Sequence, residues 1–140
     1  MRAENGDTKI FPVHWCHGAS GMYLARALSQ SYLPQEEVIE LTNQAKSALL
    51  HSLLPGSDSL CHGSLGNAVC LYSAGDRAAA RQYFDKSMQR ILKSDFRHGL
   101  GLPVKNVPGL MLGYAGFMSA LCLAIDDSLP SVLAFEAAKK

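Results

Sequence analysis

A four-residue pattern of the form G-x-x-G occurs three times in the chain, and it limits the folds that this sequence can adopt. The motifs begin at Gly18, Gly63 and Gly113, so their starts are 45 and 50 residues apart. Each motif opens or lies within an apolar stretch long enough for a short helix, at 22–33, 68–74 and 117–125. A pattern that recurs at nearly equal spacing is typical of repeat architectures. The motifs therefore predict three copies of one structural unit.

The segments between the motifs have an amphipathic character. Residues 34–54 carry an apolar stripe at helical spacing, made of Val38, Leu41, Ala45, Leu49 and Leu53. Pro34 suits the first turn of that helix, and Asp76 is a good N-cap for a second helix that ends near Lys93. Arg90 falls on the polar, solvent-facing side of this second helix.

The apolar helices that follow the glycine motifs should form an inner layer, and the amphipathic helices between them should form an outer layer. The sequence therefore predicts an all-α fold, an α/α repeat with about five helices and no significant strand. Helices are about 10 Å across, so three inner helices in a closed ring would touch at the centre. The three repeats are accordingly interpreted as an arc of a larger ring or as a short open stack. The predicted organisation is an irregular segment at 1–10 followed by one α/α unit at 11–140.

Charge and cysteine content exclude several classes of protein. The net charge is +1, whereas a chain that binds nucleic acid normally has a basic face. The uncharged window 106–125 has the length of a membrane span, but its proline and glycines favour a buried helix. The N-terminus has no apolar core typical of a secretory signal. We therefore expect a cytoplasmic protein whose four cysteines are reduced thiols.

Two Cys-His pairs occupy matching places in the first two repeats. Cys16 and Cys61 each lie two residues before the first glycine of their motif, and His17 and His62 follow them directly. The third repeat has Met111 at this place. Equivalent positions of adjacent repeats should lie side by side, which would bring both pairs together. Two thiolates and an imidazole are natural ligands for Zn²⁺, and three protein ligands leave one position open for chemistry.

Other interpretations of these residues remain open. Buried cysteines are common as small apolar residues, and zinc-finger spacing is absent from the sequence. A closed structural zinc site with His17 as its fourth ligand is also possible. Cys70 and Cys122 lie in apolar stretches, which favours core positions for both. The remaining histidines, His14, His51 and His98, are interpreted as surface or packing residues.

The motifs WCHGASG at 15–21 and CHGSLGN at 61–67 resemble the signature motifs of lanthionine synthetase C-like cyclases. The surrounding sequence, from about Phe11 onward, looks most like the C-terminal cyclase domain of class II lanthipeptide synthetases. The resemblance implies a double ring of helices, an α/α toroid of which this chain would be an arc. It also implies that Cys16, Cys61 and His62 are zinc ligands at one end of the inner ring.

The reaction implied by the resemblance adds a cysteine thiol of a precursor peptide to dehydroalanine or dehydrobutyrine. His17 is then a candidate catalytic proton donor to the enolate formed on addition, with a packing role as its alternative. Only fifteen residues precede Cys16, so the upstream histidine and aspartate of the family cannot be placed. We therefore expect a C-terminal part of a cyclase, which needs further repeats or self-association. The alternatives are a non-catalytic peptide-binding scaffold and a relative that joins glutathione to electrophiles.

Overall fold

The structure, a computed structural model, describes residues 12–33, 35–52, 54–101 and 106–136. Within these ranges the chain forms five α-helices: α1 (Ala19–Ser29), α2 (Gln35–His51), α3 (Ser64–Ser73), α4 (Arg77–Ser94) and α5 (Tyr114–Ile125). Two short 3₁₀ turns follow, after α1 at Gln30–Tyr32 and after α5 at Val132–Ala134. Extended pairing in these ranges amounts to one isolated bridge between Val13 and Gly18. The predicted all-α fold is confirmed.

Some sequence predictions concern residues outside these ranges. The proposed irregular segment 1–10, Pro34 at the start of α2 and Leu53 at the end of its stripe all lie outside the described residues. The division of the chain at residue 11 therefore stays a prediction.

Each glycine motif marks the start of one inner helix. Gly18, Gly63 and Gly113 are the N-cap residues of α1, α3 and α5. The second glycine of each motif lies in the first helical turn, where the preceding loop passes very close. A Cβ atom added at Gly66 would lie 2.7 Å from the carbonyl carbon of Leu60 and closer still to its oxygen. Gly21 and Gly116 meet the carbonyl group six residues earlier in the same way.

Inner and outer helices pack in pairs, as the sequence pattern predicts. The amphipathic helix α2 packs against α1, and α4 packs against α3. Helix α3 also contacts both α1 and α5, so it lies between the other two inner helices. Its residues Ser64–Leu71 are all buried. The predicted N-cap of α4 is present, because the Asp76 side chain accepts a hydrogen bond from the Ala79 backbone N–H at 3.3 Å.

Two predictions about side-chain placement are wrong. Arg90 does not face solvent: its side chain is 19% exposed and pairs with the fully buried Asp58. Cys122 is exposed, whereas Cys70 is buried as predicted. The buried helix predicted in the window 106–125 is also not borne out, because α5 buries only Gly116, Ala120 and Leu123 of its twelve residues. Cys122 lies on a different face of this helix. None of the helices in the described ranges has both the length and the apolar character that a membrane crossing requires.

Candidate functional site

The loops before the three inner helices stack on one another through backbone hydrogen bonds. The N–H of Cys16 donates to the carbonyl of Cys61 at 3.3 Å, and the N–H of Cys61 donates to the carbonyl of Met111 at 3.0 Å. These are the positions that the repeat alignment treats as equivalent. The loops also share an internal hydrogen bond that spans seven residues, from Ala19 to Pro12, from Ser64 to Ser57 and from Tyr114 to Val107. The inner helices therefore begin at one end of the molecule.

The two cysteines of this end are neighbours. Cys16 is exposed and Cys61 is half-buried, and the Cys16 thiol lies close enough to that of Cys61 to raise its pKa. Burial is the largest cause of this shift, which brings the pKa of the Cys61 thiol to about 11. Both residues stand just before a helix N-terminus, where the peptide dipoles favour negative charge. At Cys61, burial favours the protonated form of the thiol.

One imidazole contacts the Cys16 thiol, and two further imidazoles lie close to one another beside it. His17 lies next to Cys16, with 3.5 Å between its Nδ1 atom and the Cys16 Sγ atom. The ring of His14 is 5.3 Å from that of His17 and 6.0 Å from that of His62, measured between centroids. The structure thus brings together the four residues predicted from sequence, Cys16, His17, Cys61 and His62, and adds His14 to them.

His14 was interpreted from sequence as a surface or packing residue. Its Nδ1 atom is buried and has no hydrogen-bond partner among the described residues. Burial, followed by the nearby His17 and His62, lowers the pKa of His14, and a hydrogen bond to the His62 backbone opposes that shift. The repeat pattern gave no signal here, because the equivalent residue of the second repeat is Ser59. The bridge between Val13 and Gly18 folds the segment back and places His14 near His17.

The imidazole of His62 contacts a second loop. A Cβ atom added at Gly99 would lie 2.7 Å from the His62 Nε2 atom and equally close to Ser57 Oγ. No group of three or more His, Cys, Asp or Glu side chains in the part of the chain that the structure describes is arranged to hold a metal ion. The ligand roles of Cys16, Cys61 and His62 therefore stay predictions.

The fold and the site together define an all-α repeat protein with a cysteine-histidine cluster at the N-terminal ends of its inner helices. The sequence matches the family of lanthionine synthetase C-like proteins over residues 2–136, which is nearly the whole chain. The chain belongs to that family, and the resemblance noted from its two motifs is confirmed. No solved structure matches the chain.

Proposed function

We propose that this chain is a lanthionine cyclase-type domain that binds Zn²⁺ through Cys16, Cys61 and His62. The observation that carries the proposal is the backbone hydrogen bond of 3.3 Å between Cys16 and Cys61, which holds the two cysteines of adjacent repeats side by side. Membership of the lanthionine synthetase C-like family supports a cyclase-type enzyme. The zinc ion, the peptide substrate and the roles of individual residues are parts of the proposal.

The chemistry of the side chains fits zinc. Thiolate sulfur and imidazole nitrogen are the ligands that Zn²⁺ commonly takes in proteins, and Cys16 and Cys61 already lie side by side. His62 directly follows Cys61, and the nearby rings of His14 and His17 are further imidazole donors. Bound at three protein ligands, the ion would lower the pKa of a substrate thiol and hold it as the nucleophilic thiolate.

The proposed reaction joins a peptide cysteine to a dehydrated residue. The sulfur adds to the β-carbon of dehydroalanine or dehydrobutyrine, and the electron pair of the double bond forms an enolate. The α-carbon then takes up a proton, so the thiol proton is replaced by a carbon–sulfur bond and the mass of the peptide is unchanged. We assign His17 as the proton donor, because its ring lies beside the Cys16 thiol.

Metal content tests the ligand assignment. Purified protein is expected to hold about one Zn²⁺, as three or four ligands form one site. Cys16→Ala and Cys61→Ala should each abolish stoichiometric binding, and His62→Ala should weaken it. Cys122→Ala is the matched control, since this exposed cysteine lies on α5 outside the cluster. Full zinc retention by the Cys16→Ala/Cys61→Ala double variant would refute the assignment.

Activity is measured with a dehydrated precursor peptide and a thiol-alkylating reagent. Because cyclisation leaves the mass unchanged, mass spectrometry should show fewer alkylated thiols after incubation with active protein. We expect the loss of free thiols to need Cys61 and zinc. A chain that holds zinc but instead joins glutathione to the same electrophile would be the glutathione-adding relative. A chain that binds the peptide without consuming thiols would be a scaffold.

The contact between His17 and Cys16 favours one second candidate, a closed structural zinc site. There His17 would be the fourth ligand, and no position would remain for a substrate thiol. Co²⁺ substitution separates the two candidates, because an open position takes up an added small thiol and changes the absorption spectrum. The proposed function predicts such a change in the unsubstituted protein. An unresponsive spectrum that becomes responsive in His17→Ala would establish the structural site instead.

A further inference from the structure

A buried carboxylate lies in the loop that carries the second Cys-His pair. Asp58 precedes Cys61 by three residues, and its side chain is fully buried. Its Oδ1 atom pairs with Arg90 of helix α4 and accepts a hydrogen bond from Ser64 Oγ at 3.3 Å. Its Oδ2 atom accepts the backbone N–H of Arg97 at 2.8 Å. A buried charge is tolerated only with such partners, so this carboxylate is built into the fold.

Arg90 ties the segment 55–64 to the outer helix at several points. Its Nη1 atom donates to the carbonyl of Pro55 at 2.7 Å, and its Nη2 atom donates to the carbonyl of Ser57 at 3.2 Å. The same Nη2 atom lies 2.9 Å from Ser64 Oγ. The guanidinium group therefore holds both the beginning and the end of this segment. Cys61 and His62 lie between the held points.

A second loop is fixed against the same carboxylate. The N–H of Asp58 donates to the carbonyl of Arg97 at 2.7 Å, and Ser57 Oγ donates to that carbonyl at 3.2 Å. This pairing brings Gly99 into the close contact with His62 Nε2 described above. The position of the His62 ring thus depends both on the segment held by Arg90 and on the loop that Arg97 ties to Asp58.

The network is absent from the equivalent positions of the other repeats. Asp58 lies five residues before the first glycine of its motif, where the first repeat has Val13 and the third has Pro108. All three inner helices nevertheless begin with the same loop hydrogen bonds. Starting an inner helix therefore does not require the carboxylate. It occurs in the repeat that supplies two of the three proposed zinc ligands.

We propose that Asp58 and Arg90 are positioning residues, which hold Cys61 and His62 in the place where they bind the metal ion. This inference rests on the proposed function. The pair acts through the segment 55–64 rather than by contact with the ion. Groups that orient metal ligands in this way commonly change metal affinity by 10- to 100-fold when they are replaced.

The test uses the full chain and three variants: Asp58→Asn, Arg90→Gln and Arg90→Lys. Arg81→Gln is the matched control, because Arg81 is an exposed arginine on the same helix. Co²⁺ and Zn²⁺ affinities are measured by chelator competition at a temperature where circular dichroism shows each variant to be folded. Asp58→Asn and Arg90→Gln should weaken binding about 10- to 100-fold. The affinity of Arg90→Lys should lie between those of these variants and the wild type. Lysine keeps the positive charge but lacks the planar guanidinium group that binds several oxygens at once.

A purely structural pair would behave differently. It would lower the midpoint of unfolding without changing the metal affinity of the folded protein. Unchanged affinity in folded Asp58→Asn and Arg90→Gln would therefore overturn the inference. If Arg90→Gln does not fold, Ser64→Ala replaces it, because the Ser64 hydroxyl contacts both members of the pair.

A metal-free measurement separates this inference from the proposed function. The alkylation rate of each cysteine is followed by peptide mass spectrometry, with the exposed Cys122 as the internal reference. Release of the segment should speed alkylation of the half-buried Cys61 in Asp58→Asn, with Cys122 unchanged. If the wild type binds no metal, the proposed function fails, yet this selective change would still support positioning. Equal rates at Cys61 in the wild type and the variant would overturn it.

Discussion

Replacing Gly66 by alanine should destabilise the protein, although alanine is the better helix former. In an ordinary helix interior this change would be favourable by about 1 kcal/mol. Gly66 lies in the first turn of α3, where an added Cβ atom would be 2.7 Å from the carbonyl carbon of Leu60 and would overlap its oxygen. The obstacle is backbone, so it cannot move away by changing a rotamer. Either α3 or the loop that carries Cys61 must shift.

The expected cost follows from two unfavourable contributions and one favourable one. Forcing extra volume into a packed site costs about 1–3 kcal/mol. The shift would also strain the hydrogen bond from Gly66 N–H to the Ser59 carbonyl, 3.2 Å long, which contributes about 1 kcal/mol. After the gain in helix propensity is subtracted, we expect a net loss of about 1–3 kcal/mol in the free energy of unfolding.

Urea unfolding followed by circular dichroism measures this loss. Gly56→Ala is the matched control, because an added Cβ atom there meets no atom within 4 Å. Its effect should stay within about 0.5 kcal/mol, as for most exposed positions. The equivalent changes Gly21→Ala and Gly116→Ala should destabilise as Gly66→Ala does. If Gly66→Ala were as stable as Gly56→Ala, close approach of the loop would not be the reason for glycine at this position.

Two further predictions concern single side chains. Asp76→Ala, which removes the N-cap of α4 and its ion pair with Lys46, should cost about 1 kcal/mol at pH 7, and Asp76→Asn should cost less because it keeps a cap. The hydrogen bond from Lys46 lowers the pKa of Asp76 below its ordinary value of 3.8, so the carboxylate stabilises the fold above pH 3.8 and this stabilisation is lost as the pH falls through the lowered pKa. The free energies of unfolding of Asp76→Asn and the wild type, measured with urea, should therefore converge in that pH range. A difference that stays constant with pH would contradict the assignment. Burial raises the pKa of Cys70 to about 12. At pH 8, iodoacetamide should therefore label the exposed Cys122 promptly and Cys70 only after unfolding, which peptide mass spectrometry can follow. Rapid labelling of Cys70 in the native protein would rule out its core position.

The glycine motifs made much of the fold predictable. Their first glycines mark helix starts, and their spacing places Cys16 beside Cys61, because both features depend on short stretches of sequence. The N-cap at Asp76 was predictable for the same reason. Repeated local patterns therefore gave the number of helices, their alternation and the register of the two thiols.

Features that depend on distant partners were not predictable in this way. Arg90 sits among polar residues of α4, and a helical pattern cannot reveal that Asp58, 32 residues away, lies within its reach. His14 has no counterpart in the other repeats, so the repeat alignment did not single it out. The exposure of Cys122 depends on which face of α5 meets α3, and an apolar sequence does not encode that choice.

Backbone hydrogen bonds link Cys16 to Cys61 and Cys61 to Met111, so the three residues occupy equivalent positions in their repeats. Their side chains nevertheless differ in chemistry. Main-chain atoms, which every residue except proline supplies, fix the spacing between neighbouring positions. A change of side chain at one of them can thus alter the donor set without rebuilding the loop. Sulfur occurs at all three positions, as a thiol in two repeats and as a thioether in the third. In such an arrangement the scaffold and the reactivity can evolve separately.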